Sequence, residues 1–296
     1  MGLVRAEWAG AWLTAFPLDE GREIEGPLFV VALKRRCRIR VQEDDTPCPA
    51  CGGTMDSYGD HALVCPCRGD RTTRHNVIRD LIHWEAVEAG LGAEKEKPGL
   101  LPPRPLEDGI TGPPVGNQGT RSSRRPADIW LPRGLGHSTN KPAAVDFGVS
   151  SGMRADKVVR AAEGRGEGIT ADYSRVKWDH LRTGDSCARE GFTFVPTIFE
   201  AHGGGWGVEA RRVAGLIAHH QRIRGQWCPE GHALKVAQRI SVALHRENAR
   251  AVLRRTEVPA PVGEEPCRMG GGAFDGEEWV AEGEGDTWRA GRMGGA

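Results

Sequence analysis

Hydrophobic and polar positions fall into helix-like and strand-like periods separated by Gly/Pro-rich stretches. Residues 72–89 give the clearest helix. Val77, Ile78, Leu81 and Ile82 form an apolar stripe, Thr72 or Thr73 can N-cap it, and Gly90 is a natural C-terminal stop. His75, Arg79 and His83 recur on it every fourth residue and share a face. Residues 153–163, 171–183, 208–220 and 233–255 also predict helices; the last should bury Leu234, Ala237, Ile240 and Leu244 and expose its arginines. Two short apolar strands, 127–131 and 143–149, are joined by the turn-rich PRGLGHSTNKP and read as a hairpin with a long loop. In a third strand, 192–199, Val195, Thr197 and Phe199 alternate with Phe194, Pro196 and Ile198, and Pro196 makes it an edge or bulged strand. Residues 8–16 read as helix or strand, 27–41 as a basic apolar segment, and 97–125 as a long aperiodic loop. The order predicts an α/β or mixed α+β domain with a mixed sheet flanked by helices.

Charge adds an asymmetry to this picture. The 296 residues carry 40 Lys+Arg and 40 Asp+Glu. Residues 257–296 hold nine acids, three arginines and ten glycines, too little apolar surface to offset ordering entropy, and are expected to be disordered. The remainder is therefore mildly basic. Its cations cluster at Lys34-Arg35-Arg36 with Arg38 and Arg40, at Arg71, Arg74 and Arg79, at Arg121, Arg124 and Arg125, and at Arg239, Arg246, Arg250 and Arg254. Such clusters suit a phosphate-tracking surface, with Arg71, Arg79, Arg124 and Arg125 the candidate nucleic-acid contacts. No apolar run approaches the ~18–20 residues of a membrane span, and the N-terminus is a poor secretory signal.

Four of the eight cysteines lie between positions 48 and 67, a clustering that points to metal ligation in a reducing compartment. Cys48-x2-Cys51 with Gly52-Gly53 forms a knuckle, and His61-x3-Cys65 completes a set of four ligands suited to tetrahedral Zn²⁺. No ligand position is left open, so the ion would be structural. Cys67 can replace Cys65 on spacing alone. Cys228-x3-His232 is a lone pair read as no site.

Asp128 opens one predicted strand and Asp146 lies inside another, otherwise apolar one. A carboxylate there is costly to bury without a cation or donor. If the strands are neighbours, the two can converge on Mg²⁺ or Mn²⁺, which would activate water and polarise a phosphoryl oxygen. Lys177 or Lys157, on the helices that follow, would steady charge building on phosphorus.

Taken in order, the knuckle, Arg74-His75-Asn76, Arg125-Pro126-Ala127-Asp128, Ala144-Val145-Asp146 and Lys177-Trp178 resemble the restriction-like endonuclease of site-specific non-LTR retrotransposons. In that family a CCHC knuckle precedes a nuclease of the PD-(D/E)XK superfamily. GAWLTAFPLD, GDHALVC and QRISVALHRENARAVLRR also look like retroelement text, and the likeness spans roughly 8–256. It implies a restriction-enzyme-like mixed sheet and a metal-dependent nick in double-stranded DNA. Asp128 and Asp146 would hold the metal, and Lys177 would stabilise charge. His75 and Arg74 would approach the DNA or brace the site. Glu200 would join the metal shell or cap its strand. The implied organisation is a basic lead-in (1–45), the zinc knuckle (46–68), the nuclease domain (69–205), C-terminal helices (206–256) and the tail (257–296). Element RNA is a second possible partner, and a functional enzyme would be nuclear, otherwise cytoplasmic. Gly148 stands where the superfamily has its strand lysine, residues 163–172 break the helix leading to Lys177, and no reverse transcriptase signature is present. These departures motivate the alternative, a catalytically inactive zinc-knuckle nucleic-acid-binding protein.

Overall fold

The computed structural model describes residues 3–5, 7–102, 126–136, 141–154, 156–162 and 166–256, and the backbone of 278–281 and 288–291. In chain order, helix α1 (Gly26–Arg36) begins with Pro27 in its first turn, where the missing N–H is no loss. Strands β1 (Thr46–Pro47) and β2 (Thr54–Met55) pair antiparallel around the cysteine turn, ahead of the short α2 (Asp60–Val64). Helix α3 (Asp70–Glu88) starts earlier than its pattern suggested, behind Gly69 at φ +69°, so neither Thr72 nor Thr73 is its cap. Its end is as expected. Gly90, at φ +72°, donates to Val87 O and Leu91 donates to Ala86 O, the paired bonds of a Schellman motif.

A four-stranded sheet follows in the spatial order β3 (Glu94–Lys95), β4 (Ile129–Leu131), β5 (Ala143–Ser150) and β6 (Thr193–Glu200). The first three are antiparallel, which makes β4–β5 the expected hairpin, and β6 runs parallel to β5. The sheet is thus mixed and the fold α+β. Pro196 sits on an edge strand, as its chemistry requires. Thr193 N donates toward Pro142 O, while Glu200 N and Ile198 O bond the 205–207 return on the other side. By alternation Pro196 faces outward and leaves no ladder bond unmade.

Alternation also sorts the core. Ala143, Val145 and Phe147 face one side and pack with Ile78, Ile82, Val213, Ile217 and Ile240 of α3, α7 (Val208–Ile223) and α8 (His232–Thr256). Ala144 faces the other side with Trp130, Cys187, Phe192 and Phe194. There α4 (Val158–Ala162), α5 (Gly166–Asp179) and α6 (Thr183–Arg189) connect β5 to β6. Helix α5 runs unbroken from Gly166 through Lys177, so the break expected over 163–172 is absent from 166 onward, and 163–165 lie outside the described residues.

Helix α8 joins two cores. Val236, Ala237, Ile240 and Leu244 enter the sheet core, while Val242, Ala249, Ala251 and Val252 pack with Cys48, Met55, Cys65 and Leu28 beneath the knuckle. Each fully buried Val, Leu, Ile or Met among them contributes about 1.5–3 kcal/mol. Leu234 is not part of this surface; it is 42 % exposed, one turn too early to meet the sheet. Nor are the α8 arginines simply exposed. Arg239 pairs with Glu85, Arg250 with Glu247, and Arg254 and the buried Arg255 with Asp70. Within the tail expected to be disordered, β7 (Glu278–Ala281) and β8 (Trp288–Gly291) pair antiparallel. The rest of that tail, and the loop over 103–125, lie outside the described residues. Among the described residues no helix is long and apolar enough to cross a membrane.

Candidate metal centre and acidic pair

The knuckle is assembled by local bonds. Gly52 N donates to Cys48 O and Cys48 N to Gly53 O, closing a turn in which Gly52 adopts φ +73°. A Cβ at Gly53 would lie 3.4 Å from Cys51 Sγ and 3.5 Å from His61 Cε1, so glycine keeps the centre open. The Asp56 carboxylate accepts the Tyr58, Asp60 and His61 amides, fixing the start of α2. His61 and Cys65 are four apart, and Cys65 N closes the turn onto His61 O. The ligand atoms of Cys48, Cys51, His61 and Cys65 all lie within 4.8 Å of one another and could hold a metal ion, the one such group of three or more among the described residues. The spacing ambiguity resolves to Cys65. Cys67 lies just outside the group, and its carbonyl accepts Arg255. Burial, with Cys65 alongside, pushes the Cys51 thiol up to about 12. A divalent cation would relieve that cost, so this donor set fits zinc.

The acidic pair is assembled by register. Ile129 is opposite Val145 in the last pair of the ladder, and Asp128 stands immediately before β4, not inside the strand as its sequence suggested. Asp128 N donates to Val145 O, and Phe147 N donates to Asp128 Oδ2 at 2.7 Å. His75 Nε2 lies 3.0 Å from Asp128 Oδ1. Lys177 Nζ donates to Asp146 Oδ2 at 2.6 Å. The two carboxylates therefore stand side by side between an imidazole and an ammonium. Their side chains keep 14 % and 21 % of their surface exposed, so solvent reaches both. Desolvation, with Asp128 beside it, pushes Asp146 up to about 6 despite Lys177. Burial acts the same way on Asp128, but His75, Lys177 and the Phe147 amide hold it well below the usual carboxylate range. Burial would lower Lys177; Asp146 instead holds it above the usual lysine value. One environment thus drives two equivalent acids apart, a pattern common where acids have distinct tasks.

Gly148 explains how a helix lysine reaches the strand. A Cβ there would lie 2.7 Å from Tyr173 Cε1 and 2.9 Å from Lys177 Cε. The bare backbone is the floor on which the Lys177 stem lies. Of the two lysine candidates, Lys177 meets Asp146 and Lys157 meets Ser150 Oγ at 2.9 Å.

The supporting residues divide. His75 orients Asp128. Arg74 is buried and donates to Asn248 Oδ1 and Leu63 O, so it braces the knuckle against α8 and is not presented to a ligand. Glu200 is buried too, raised by desolvation, and accepts the Gly152, His202 and Gly203 amides. It caps its strand and does not adjoin the pair. Arg79 is engaged by Glu96 and Asp80. Arg71 stands near Tyr173 and Arg154, while Arg124 and Arg125 lie outside the described residues. The expected phosphate-tracking surface is therefore smaller than the clusters suggested, because Arg35, Arg36, Arg74 and Arg79 serve intramolecular partners. Sequence reasoning missed Tyr173, Asp56 and Asn248. Asp56 alone had a readable signal, a carboxylate shortly before a short helix.

In comparisons with known proteins, no family model matches the chain and no curated protein matches it.

Proposed function

We propose that this chain is a zinc-stabilised DNA endonuclease domain of the retrotransposon restriction-like type, dependent on Mg²⁺ or Mn²⁺. The observation that carries the reading is that Asp128, just before β4, reaches the Phe147 amide next to Asp146 of β5, with Lys177 at hydrogen-bond distance from the second carboxylate. Two carboxylates side by side, one held ionised, form an oxygen donor set that fits a small divalent cation. When bound, that cation supplies Lewis acidity and a water made nucleophilic at neutral pH. His75 fixes the Asp128 carboxylate, and the Phe147 amide locks its second oxygen. Lys177 offers its ammonium to a phosphate oxygen that gains charge as the phosphodiester is attacked. Cys48, Cys51, His61 and Cys65 hold a structural Zn²⁺ with no part in the chemistry. Double-stranded DNA is the substrate, element RNA a second ligand, and the nucleus the place of action.

A second reading, a binding protein that no longer cuts, has its own observation. Lys177 already neutralises Asp146 at 2.6 Å, which weakens the pull on a metal. Supercoiled plasmid incubated with Mg²⁺ or Mn²⁺ separates the two. The nuclease reading expects nicked circles from the wild type and none from Asp146→Ala. Plasmid left intact by both proteins, or cut equally by both, overturns it.

A further inference from the structure

Beyond Asp146 the same face of β5 continues through Gly148 to Ser150. A second ammonium stands at that end. Lys157, in the turn before α4, donates to Ser150 Oγ at 2.9 Å, and its Nζ lies 5.6 Å from the centre of the Tyr173 ring. Lys177 Nζ lies 5.8 Å from the same ring. The two ammonium groups are thus no farther apart than those two spans placed end to end. That is at most about three successive phosphates at the roughly 3.4 Å axial rise per nucleotide of a duplex strand.

The turn that carries Lys157 is well anchored. Glu200 accepts the Gly152 amide at 2.8 Å, and the Lys157 and Val158 amides both bond Arg154 O. Lys177 is matched by Asp146, but among the described residues no carboxylate forms an ion pair with Lys157. Burial and the adjacent Arg154 both work against its charge, with Asp156, Asp172 and Glu200 only partly offsetting them. Arg71 lies within electrostatic reach of both Arg154 and Tyr173. Arg154, itself paired with Asp156 at 3.0 Å, still opposes the Lys157 charge, and a phosphate laid against Lys157 removes that cost.

We infer that Lys157, seated against Tyr173 and Ser150 with Arg154 near it, grips a backbone phosphate next to the one presented to the acidic pair. The identity of that neighbouring phosphate rests on the nuclease reading; the grip itself requires only a nucleic-acid backbone. It also assigns Tyr173 a part, as the ring that spaces two ammonium groups along one strand of DNA.

The test is equilibrium binding of a fluorescent DNA duplex to the full, zinc-loaded chain without added Mg²⁺, over a series of salt concentrations. Lys157→Gln should weaken binding at low salt roughly tenfold and flatten the slope of log K against log salt by about 0.9. Lys157→Arg should restore both, and Lys235→Gln, an equal charge loss on α8, should change neither. A Lys157→Gln slope equal to wild type, or an equal loss from Lys235→Gln, overturns the assignment. Lys157→Arg keeps the test open if the glutamine variant fails to fold, since loss of binding in the folded arginine variant also contradicts a phosphate grip. Nicking of plasmid with Mg²⁺ is scored separately. Lys157-dependent binding without nicking removes the nuclease reading and keeps the grip. Nicking with a Lys157-independent slope does the reverse.

Discussion

The four knuckle ligands fall between positions 48 and 65, while the acidic pair and its partners draw on positions 75, 128, 146 and 177. The first site is closed by a glycine turn, an Asx-capped helix start and an i,i+4 pair, interactions that exist within one short segment. The second exists only once β4 and β5 adopt one register, α3 is laid against them, and α5 crosses Gly148. A slip of one residue between β4 and β5 would send Asp128 to the opposite face and dissolve the site. The knuckle should therefore depend on its metal and the acidic pair on the whole fold.

The largest expected effect follows from that difference. Removing the proposed zinc from the knuckle should forfeit an apparent ~10–16 kcal/mol of binding energy. Chelation should release one zinc per chain and lower the melting temperature steeply, because the knuckle shares its core with α8. An unchanged melting curve after zinc is lost would show the knuckle to be dispensable. The acidic pair should behave oppositely. Asp146→Asn should keep zinc and fold while plasmid nicking falls by roughly 10²- to 10³-fold or more. The same carboxyl sets a pH profile. Its protonated form, favoured below about 6, cannot ligate a cation, so nicking should fall about tenfold per pH unit below that value and level off above it. A profile that is flat from pH 5 to 8 would remove Asp146 from the reaction.

A third effect belongs to the seam between the regions. His202 and His245 are buried, His245 stacked 4.7 Å from Trp12, and burial with Arg35 and Arg36 nearby lowers both imidazoles to about 3. The unfolded chain takes up a proton on each near 6.5, the folded chain only near 3. Stability is thus full above 6.5 and lost as pH falls, by about 1.4 kcal/mol per pH unit per histidine at most. Denaturant midpoints from pH 7 to 4 read this directly, and His245→Gln should shrink the loss. The smallest effect is local. Gly148→Ala overpacks against Tyr173, Ile198 and Lys177 side chains and should cost about 1–3 kcal/mol. It should also move Lys177 off Asp146 and reduce nicking while zinc content stays constant.

The two sites differ in the same way as objects of sequence reading. Cys48, Cys51, His61 and one of Cys65 and Cys67 could be grouped from spacing, since ligand geometry within a short segment is nearly dictated by it, and the fold selects Cys65. The strand that follows Asp128 and the one holding Asp146 could also be found, because short apolar runs flanked by turn residues carry their own period. The assignment of roles could not. Nothing local distinguishes Lys177 from Lys157; the choice depends on how α5 lies across Gly148. Arg74 and Arg79 look like surface cations in the helical period, yet Asn248 and Glu96, far along the chain, claim them. The capping threonines of α3 failed for a related reason. Asp70 is drawn into the first turn by Arg254 and Arg255, which starts the helix earlier than its own polar residues suggest.

The claim on which the nuclease reading depends is that Asp128 and Asp146 grip one divalent ion together. Titration of the zinc-loaded chain with Mn²⁺, followed by the loss of the free-ion electron paramagnetic resonance signal at pH 7.5, measures that grip without reference to cleavage. The account predicts one Mn²⁺ bound per chain, with affinity reduced at least about tenfold in Asp128→Asn and in Asp146→Asn and zinc retained throughout. Equal Mn²⁺ binding by the wild type and both variants, or none by any of them, would contradict it.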